Sequence, residues 1–204
     1  SVVALAEHNG FLVVFGKRSI ILYSNVVGLE GGAAASITLA DTIEGVGCIA
    51  RDSVASTGDD LLFLSNRGVM SLGRLIQEKS IPLRDISKNV RTDLMQRVNE
   101  ELASGNGHTL RSCYSAKHAF YLLTLPSSKS VYCFDVRAPL EDGSFRATTW
   151  SNIEPLALSV FADDVLYMGK ESGLVTYEGY LDDTASYDMR YFSHPLDWGN
   201  TTNL

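Results

Sequence analysis

Leu61-Leu62-Phe63-Leu64-Ser65-Asn66-Arg67-Gly68-Val69-Met70-Ser71-Leu72 is the stretch that decides the fold class. Two short apolar runs flank a polar spacer ending in glycine, the pattern of two strands joined by a tight turn. Gly58-Asp59-Asp60 places another turn just upstream, and residues 53–56 supply a further short run. The whole reads as strand, turn, strand, turn, strand: one antiparallel meander.

The same unit recurs along the chain. In the first copy, a run over 2–6 is followed by His8-Asn9-Gly10, a run over 11–15, Lys17-Arg18-Ser19 and a run over 20–23. The third has 110–115, Ala116-Lys117-His118, 119–123, Ser127-Ser128-Lys129 and 131–134. The fourth has 158–161, Asp163-Asp164, 165–168, Glu171-Ser172-Gly173 and 174–177. Gly10, Asp60, His118 and Asp164 close the four first turns and stand 50, 58 and 46 residues apart. Propeller blades recur at roughly 40–50 residues, and a lone meander buries its faces only by stacking on its neighbours. The expected fold is all-β: β-propeller-like repeats of small antiparallel meanders, about four blade-like units over residues 1–180, with one inserted α-helix.

That helix explains the longest interval. Val90, Leu94, Val98 and Leu102 recur at four-residue spacing with Met95 beside them, which predicts a helix of about five turns over 86–104. Asp85 or Ser87 is placed to cap its start and Gly105 to end it. Its apolar face is expected against the blades or a neighbouring subunit. Residues 28–35 and 138–143 read as loops. Residues 181–204, with Trp198, read as a strand-like exit toward a missing part of the chain. The opening Ser1-Val2-Val3 likewise reads as the start of a cut piece or processed product.

The 204 residues are 45% hydrophobic and 20% charged, enough for one packed domain or two small ones. Seventeen Lys and Arg against 24 Asp and Glu leave a net charge of −7, so composition supplies no basic face for nucleic acid. The longest apolar runs, such as 11–15, fall far short of the roughly 20 residues of a membrane span. Cys48, Cys113 and Cys133 are odd in number and form no Cys-x-x-Cys pair, which argues against a disulfide framework or zinc site. Cys113 and Cys133 fall on the first and third strands of one unit, too far apart to bridge.

Chemistry-bearing patterns each have a plainer reading. Gly45-x-Gly47-x-x-Ala50 loosely matches a dinucleotide fingerprint, but a strand signal follows where a helix is required, so a glycine bend is preferred. The acid pairs Asp59-Asp60 and Asp163-Asp164 occupy equivalent turns, where Asp bonds its own backbone, and Asp182-Asp183 reads the same way. Facing carboxylates of a glycosidase and alternating ligands of a calcium loop are the alternatives weighed. His8 and His118 also occupy equivalent turns; with His108 and His194 they make no metal-ligand spacing. Asn200-Thr201-Thr202 is a glycosylation triplet with no secretion signal beside it. The aromatics Tyr23, Tyr114, Phe120, Tyr121, Tyr132, Phe134, Tyr167 and Tyr177 fit packing between blades better than a sugar platform. No catalytic, cofactor-binding or metal residue is assigned, and no cofactor is expected.

Several segments resemble one family. Phe15-Gly16-Lys17-Arg18-Ser19-Ile20-Ile21-Leu22-Tyr23, Gly45-Val46-Gly47-Cys48 leading to Ser53, the stretch from Leu62 to Leu72, Asp85-Ile86-Ser87 before a helix, and Leu196-Asp197-Trp198-Gly199 appear in the order seen in tail nozzle proteins of short-tailed bacteriophages. These are also called tail tubular protein B or packaged-DNA stabilisation proteins. The resemblance implies a fragment of a longer structural protein of the virion tail, made in the bacterial host cytoplasm. It implies a homo-oligomeric ring, hexameric in the family, contacting portal, adaptor and tail-fibre proteins. DNA would pass through its channel without sequence-specific binding, and no enzyme activity or membrane span is expected. An acidic subunit suits a lumen that must not grip a polyanion. The alternatives are a carbohydrate-binding or glycan-cleaving propeller, and a propeller scaffold for tail-fibre or other protein partners.

Overall fold

The computed structural model describes residues 1–24, 37–73, 85–151, 153, 155–179, 186 and 188–190. They are mostly β, arranged in four antiparallel sheets that follow one another along the chain. The first sheet is β1 (Val2–His8), β2 (Phe11–Gly16), β3 (Ser19–Ser24) and β4 (Thr38–Glu44), in that order. The second is β5 (Ala55–Ser56), β6 (Leu61–Ser65) and β7 (Gly68–Ser71). The third is β8 (Arg111–Ser115), β9 (Phe120–Leu125), β10 (Ser130–Asp135) and β11 (Arg146–Ser151). The fourth is β12 (Ala157–Val160), β13 (Leu166–Lys170) and β14 (Gly173–Thr176). Each sheet is a simple meander, one per expected unit.

Alternation along the strands sends successive side chains into different cores. On β6, Leu61 and Phe63 enter a cluster with Val13, Phe15 and Ile20 of the first sheet. Leu62 and Leu64 enter a second cluster with Tyr121, Leu123, Tyr132 and Phe134 of the third. On β9 and β10, Leu122, Val131 and Cys133 turn the other way and meet Leu166 of the fourth sheet. Both faces of the second and third sheets are therefore covered, which is why β6 reads as a continuous apolar run rather than an alternating one. The sheets stack as an open series, first to fourth; among the described residues no apolar cluster joins the fourth sheet to the first.

Several expectations need correction. The helix, α1, covers Arg91–Ala103 rather than 86–104, and residues 86–90 form turns before it. Asp85 and Ser87 do not cap α1; its N-cap is Val90, without a side-chain hydrogen bond. Gly105 does follow its end in the left-handed conformation (φ 81°). Leu102 is 38% exposed, whereas Leu94, Val98 and Glu101 are buried. A strict four-residue repeat advances about 40° per step around an α-helix, so two steps carry Leu102 about 80° off the Leu94 line, while Glu101 lags it by only about 20°. Of the run over 53–56, Ser53 ends a 3-10 turn, Arg51–Ser53, and Ala55 and Ser56 form the two-residue strand β5. The loop expected at 28–35 lies outside the described residues, as does the exit segment 181–204 apart from residues 186 and 188–190. No helix among the described residues is long and apolar enough to cross a membrane.

The approach to α1 is held to the loop before β11. Asn89 Nδ2 donates to Ser144 Oγ (3.0 Å) and Lys88 Nζ lies 3.1 Å from Asp142. Hydrogen bonds from the Ser144 hydroxyl and amide, with Lys88 nearby, hold the Asp142 carboxyl down to about 2. A depressed carboxyl stabilises the fold above its ordinary pKa and ceases to as pH falls through its folded value. The carboxyl signal of Asp142 should therefore titrate near 2 by NMR. A midpoint at the ordinary carboxylate value would show that the contact is absent in solution.

Candidate functional site

The first strands of the sheets gather on one side of the stack. β1 meets the Arg51–Ser53 turn, β5 meets β8, and β8 meets β12. Each of these strands is the edge of its sheet. Between them lies a groove of about 810 Å³ lined by β1 from Val2 to Glu7, by Arg51, Asp52 and Val54, and by Ser112 of β8. Asn9 and Gly10 both have positive φ, so β1 and β2 join through a two-residue turn that makes His8 and Phe11 a hydrogen-bonded pair. By alternation, the backbone N–H and C=O groups of Leu5 and Glu7 face away from β2.

The groove's charges are largely spent on each other. Asp52 accepts from Arg51 (Nε to Oδ1, 2.8 Å) and lies 3.0 Å from Arg111 on β8. The Arg51 hydrogen bond, helped by the field of Arg111, lowers the Asp52 carboxyl. Behind it, the Tyr121 hydroxyl donates to the Ser53 carbonyl (2.7 Å), and burial pushes that phenol far up. The groove is thus lined mostly by apolar side chains beside a closed arginine–aspartate–arginine contact, suited to holding a surface rather than to proton transfer.

A smaller cleft, about 340 Å³, lies at the start of α1 between Asn66, Arg67, Met70, Asp85, Arg91 and Thr92. Asp85 is 3% exposed; its Oδ1 accepts from the Ser87 amide (2.8 Å) and hydroxyl (2.5 Å), and its Oδ2 lies 3.8 Å from Arg91 Nε. Burial raises its carboxyl, against the Ser87 bonds and Arg91. Ser87 Oγ in turn accepts from the Val69 amide (3.0 Å), the Ile86 amide donates to the Val69 carbonyl (3.1 Å), and the Phe145 amide donates to the Ile86 carbonyl (2.8 Å). Residues 85–87 thus form a knot joining β7 to the loop before β11. Asp85 and Ser87 tie β7 to this loop instead of capping α1, and no local sequence signal marks the knot.

The other candidates scatter into structural roles. Asp60 binds its own turn and beyond: it accepts from the Leu61 amide (2.7 Å), the Gly73 amide (2.7 Å) and the Ser71 hydroxyl. Asp163 accepts from the Val165 amide (3.1 Å) and the Tyr167 hydroxyl (2.9 Å), and Asp164 takes positive φ (59°) in the same turn. Asp182 and Asp183, His194 and the triplet at Asn200 lie outside the described residues. Gly45 has positive φ (82°); its amide donates to the Arg18 carbonyl and that of Cys48 to the Gly16 carbonyl, each at 2.9 Å. The segment is thus docked on the β2–β3 turn, and Arg51–Ser53 rather than an α-helix follows it. His8 is buried and bonded to Asn9 Nδ2 (3.1 Å), and His108 Nδ1 sits 3.0 Å from the Gly105 carbonyl.

Aromatics go mainly into packing. Tyr121, Tyr132 and Phe134 are fully buried. Trp150 and Tyr177 stack on each other (5.2 Å, 9°), and His118 packs against both Phe120 and Tyr177. The three cysteines are free thiols; Cys113 and Cys133 lie either side of Leu122 with β9 between them. Burial raises Cys48 and Cys113 and pushes Cys133 up to about 12, away from nucleophilic use. Among the described residues, no group of three or more His, Cys, Asp or Glu side chains is arranged to hold a metal ion.

No family model matches this chain, and no curated protein matches it.

Proposed function

We propose that this chain is a structural virion component: a β-propeller-like part of a bacteriophage tail nozzle, without enzyme activity, acting in a ring of copies. Such a ring retains packaged DNA and lets it pass at ejection, seated among portal, adaptor and tail-fibre proteins. The supporting observation is where the resembling segments fall. The stretch from Phe15 to Tyr23 is the β2–β3 hairpin, and 45–48 docks on its turn. Residues 62–72 carry β6 and β7, the wall shared by two cores. Residues 85–87 are the knot beside β7. These described segments are core strands and the contacts that fasten them, so the likeness lies in the framework. A framework whose acids are bound into turns and whose aromatics pack between sheets suits a rigid conduit.

The test is a density map of a phage tail containing the full-length protein, paired with a hydrolase assay of this chain on host-surface glycans. The expected result is a ring surrounding the DNA path, with no glycan turnover. A position off that path, or turnover lost in Asp163→Asn, would replace this reading with the carbohydrate alternative.

A further inference from the structure

The knot at 85–87 leaves one polar atom over. Asp85 Oδ1 accepts twice from Ser87, but Oδ2 is buried and accepts no hydrogen bond. Arg91 Nε stands 3.8 Å from it, beyond hydrogen-bond reach. A buried carboxylate oxygen without a donor is costly, and native folds leave few.

Asp85 is a wall of the cleft of about 340 Å³ at the start of α1, which it shares with Arg67, Arg91, Asn66 and Thr92. Both arginines are exposed, and Arg67 is in no ion pair among the described residues. The helix begins there without a side-chain cap, so its first N–H groups add partial positive charge. These groups set opposite demands. Two guanidinium groups and a helix start repel a bare cation and favour an anion. The ionised Asp85 carboxyl only accepts, so an anion without a hydrogen to donate meets Oδ2 as a like charge. An ammonium group would donate to Oδ2 but would bring a third cation beside the two arginines. A protonated oxyanion meets every demand at once, since its hydroxyl donates while its other oxygens accept.

We propose that this cleft binds inorganic phosphate in a protonated form, the P–OH donating to Asp85 Oδ2 and the remaining oxygens accepting from Arg67 and Arg91. Phosphate reaches Oδ2 by drawing aside the Arg91 guanidinium, whose side chain is 54% exposed. Sulfate has the same tetrahedral shape but carries no proton at neutral pH, so the site takes phosphate and rejects sulfate. The inference stands on the cleft and its orphaned oxygen and does not use the virion reading.

The experiment is calorimetric titration of the 204-residue chain with inorganic phosphate and, separately, with sulfate, at neutral pH and equal ionic strength. Amide NMR shifts locate the site. Phosphate is expected to bind and to shift the amides of Arg67, Arg91 and Thr92, and sulfate to bind at least about tenfold more weakly. In Asp85→Asn the side-chain oxygen keeps the Ser87 donors, which puts the amide nitrogen, a donor, in the place of Oδ2. That variant is expected to bind sulfate as well as it binds phosphate. Arg67→Ala is expected to weaken phosphate about tenfold. A native chain that binds no phosphate, or binds sulfate equally well, overturns the proposal, and so does an Asp85→Asn variant that still discriminates. Where circular dichroism shows Asp85→Asn to have lost its fold, Arg67→Ala decides, because its side chain is exposed: unchanged phosphate affinity there overturns the proposal.

Discussion

Replacing Gly47 by alanine is expected to destabilise the protein by about 3 kcal/mol or more, the upper end for inserting a group into filled space. A Cβ built on Gly47 falls 2.1 Å from the Gly16 carbonyl oxygen, 2.5 Å from Lys17 C and 2.6 Å from Arg18 N. All three are backbone atoms of the β2–β3 turn, so no side-chain rotation relieves the overlap. The Gly16 oxygen is also the acceptor for the Cys48 amide. Moving the segment away breaks that bond and draws Val46 and Cys48, both fully buried, out of the first core. Gly58 is the control. Its φ is +93° but nothing lies within 4 Å of its Cβ position. Gly58→Ala should lose only the backbone term, about 1 kcal/mol. Urea unfolding of the two variants checks this; equal losses would show that the 45–48 dock carries no stability.

That contrast also marks how far the sequence is readable. The hairpins of all four units were legible because their signals are local: alternating or continuous apolar runs, with Asn9-Gly10 or Gly68 at positions that need positive φ. The outermost strands β4 and β11 were not. Thr-Leu-Ala-Asp-Thr-Ile-Glu and Arg-Ala-Thr-Thr-Trp-Ser are exposed over most of their length and carry no apolar run. They are strands because β3 and β10 offer them a ladder, which no window around their own residues contains. Ile86 looked like the first turn of a helix; its burial between Val69 and Phe145 draws it out of α1 instead. The groove beside β1 was invisible for the same reason. It is made by Val2–Glu7, Asp52 and Ser112, distant in sequence, meeting where the first strands gather. Glu101, by contrast, was recoverable by counting about 100° per residue from Leu94.

Asp85→Ala is expected to lose about 3 kcal/mol, the scale of losing hydrogen bonds to a buried carboxylate and stranding their donors. The Ser87 amide and hydroxyl both donate to Asp85 Oδ1, and the same hydroxyl oxygen receives the Val69 amide. Without Asp85, Ser87 is no longer held, and the Val69 and Phe145 amides should exchange with solvent faster, since the 85–87 segment binds both. Asp85→Asn keeps an acceptor at Oδ1 and should lose less. The two variants also separate packing from charge. Burial raises the Asp85 carboxyl above its ordinary value, despite Ser87 and Arg91. A raised carboxyl favours the fold most below its unfolded pKa, and that advantage is lost as pH rises through the folded pKa. Asparagine does not titrate, so the stability of Asp85→Asn relative to the native chain should climb across the acid range and level off once Asp85 is ionised. Gly68 explains why the knot cannot be rebuilt with bulk: a Cβ there lies 2.4 Å from Ser87 Oγ and 2.7 Å from both Asp85 oxygens. A pH-independent difference between native and Asp85→Asn, measured by urea unfolding at several acid pH values, would mean that Asp85 is solvated and that the joint between β7 and the loop before β11 rests on packing alone.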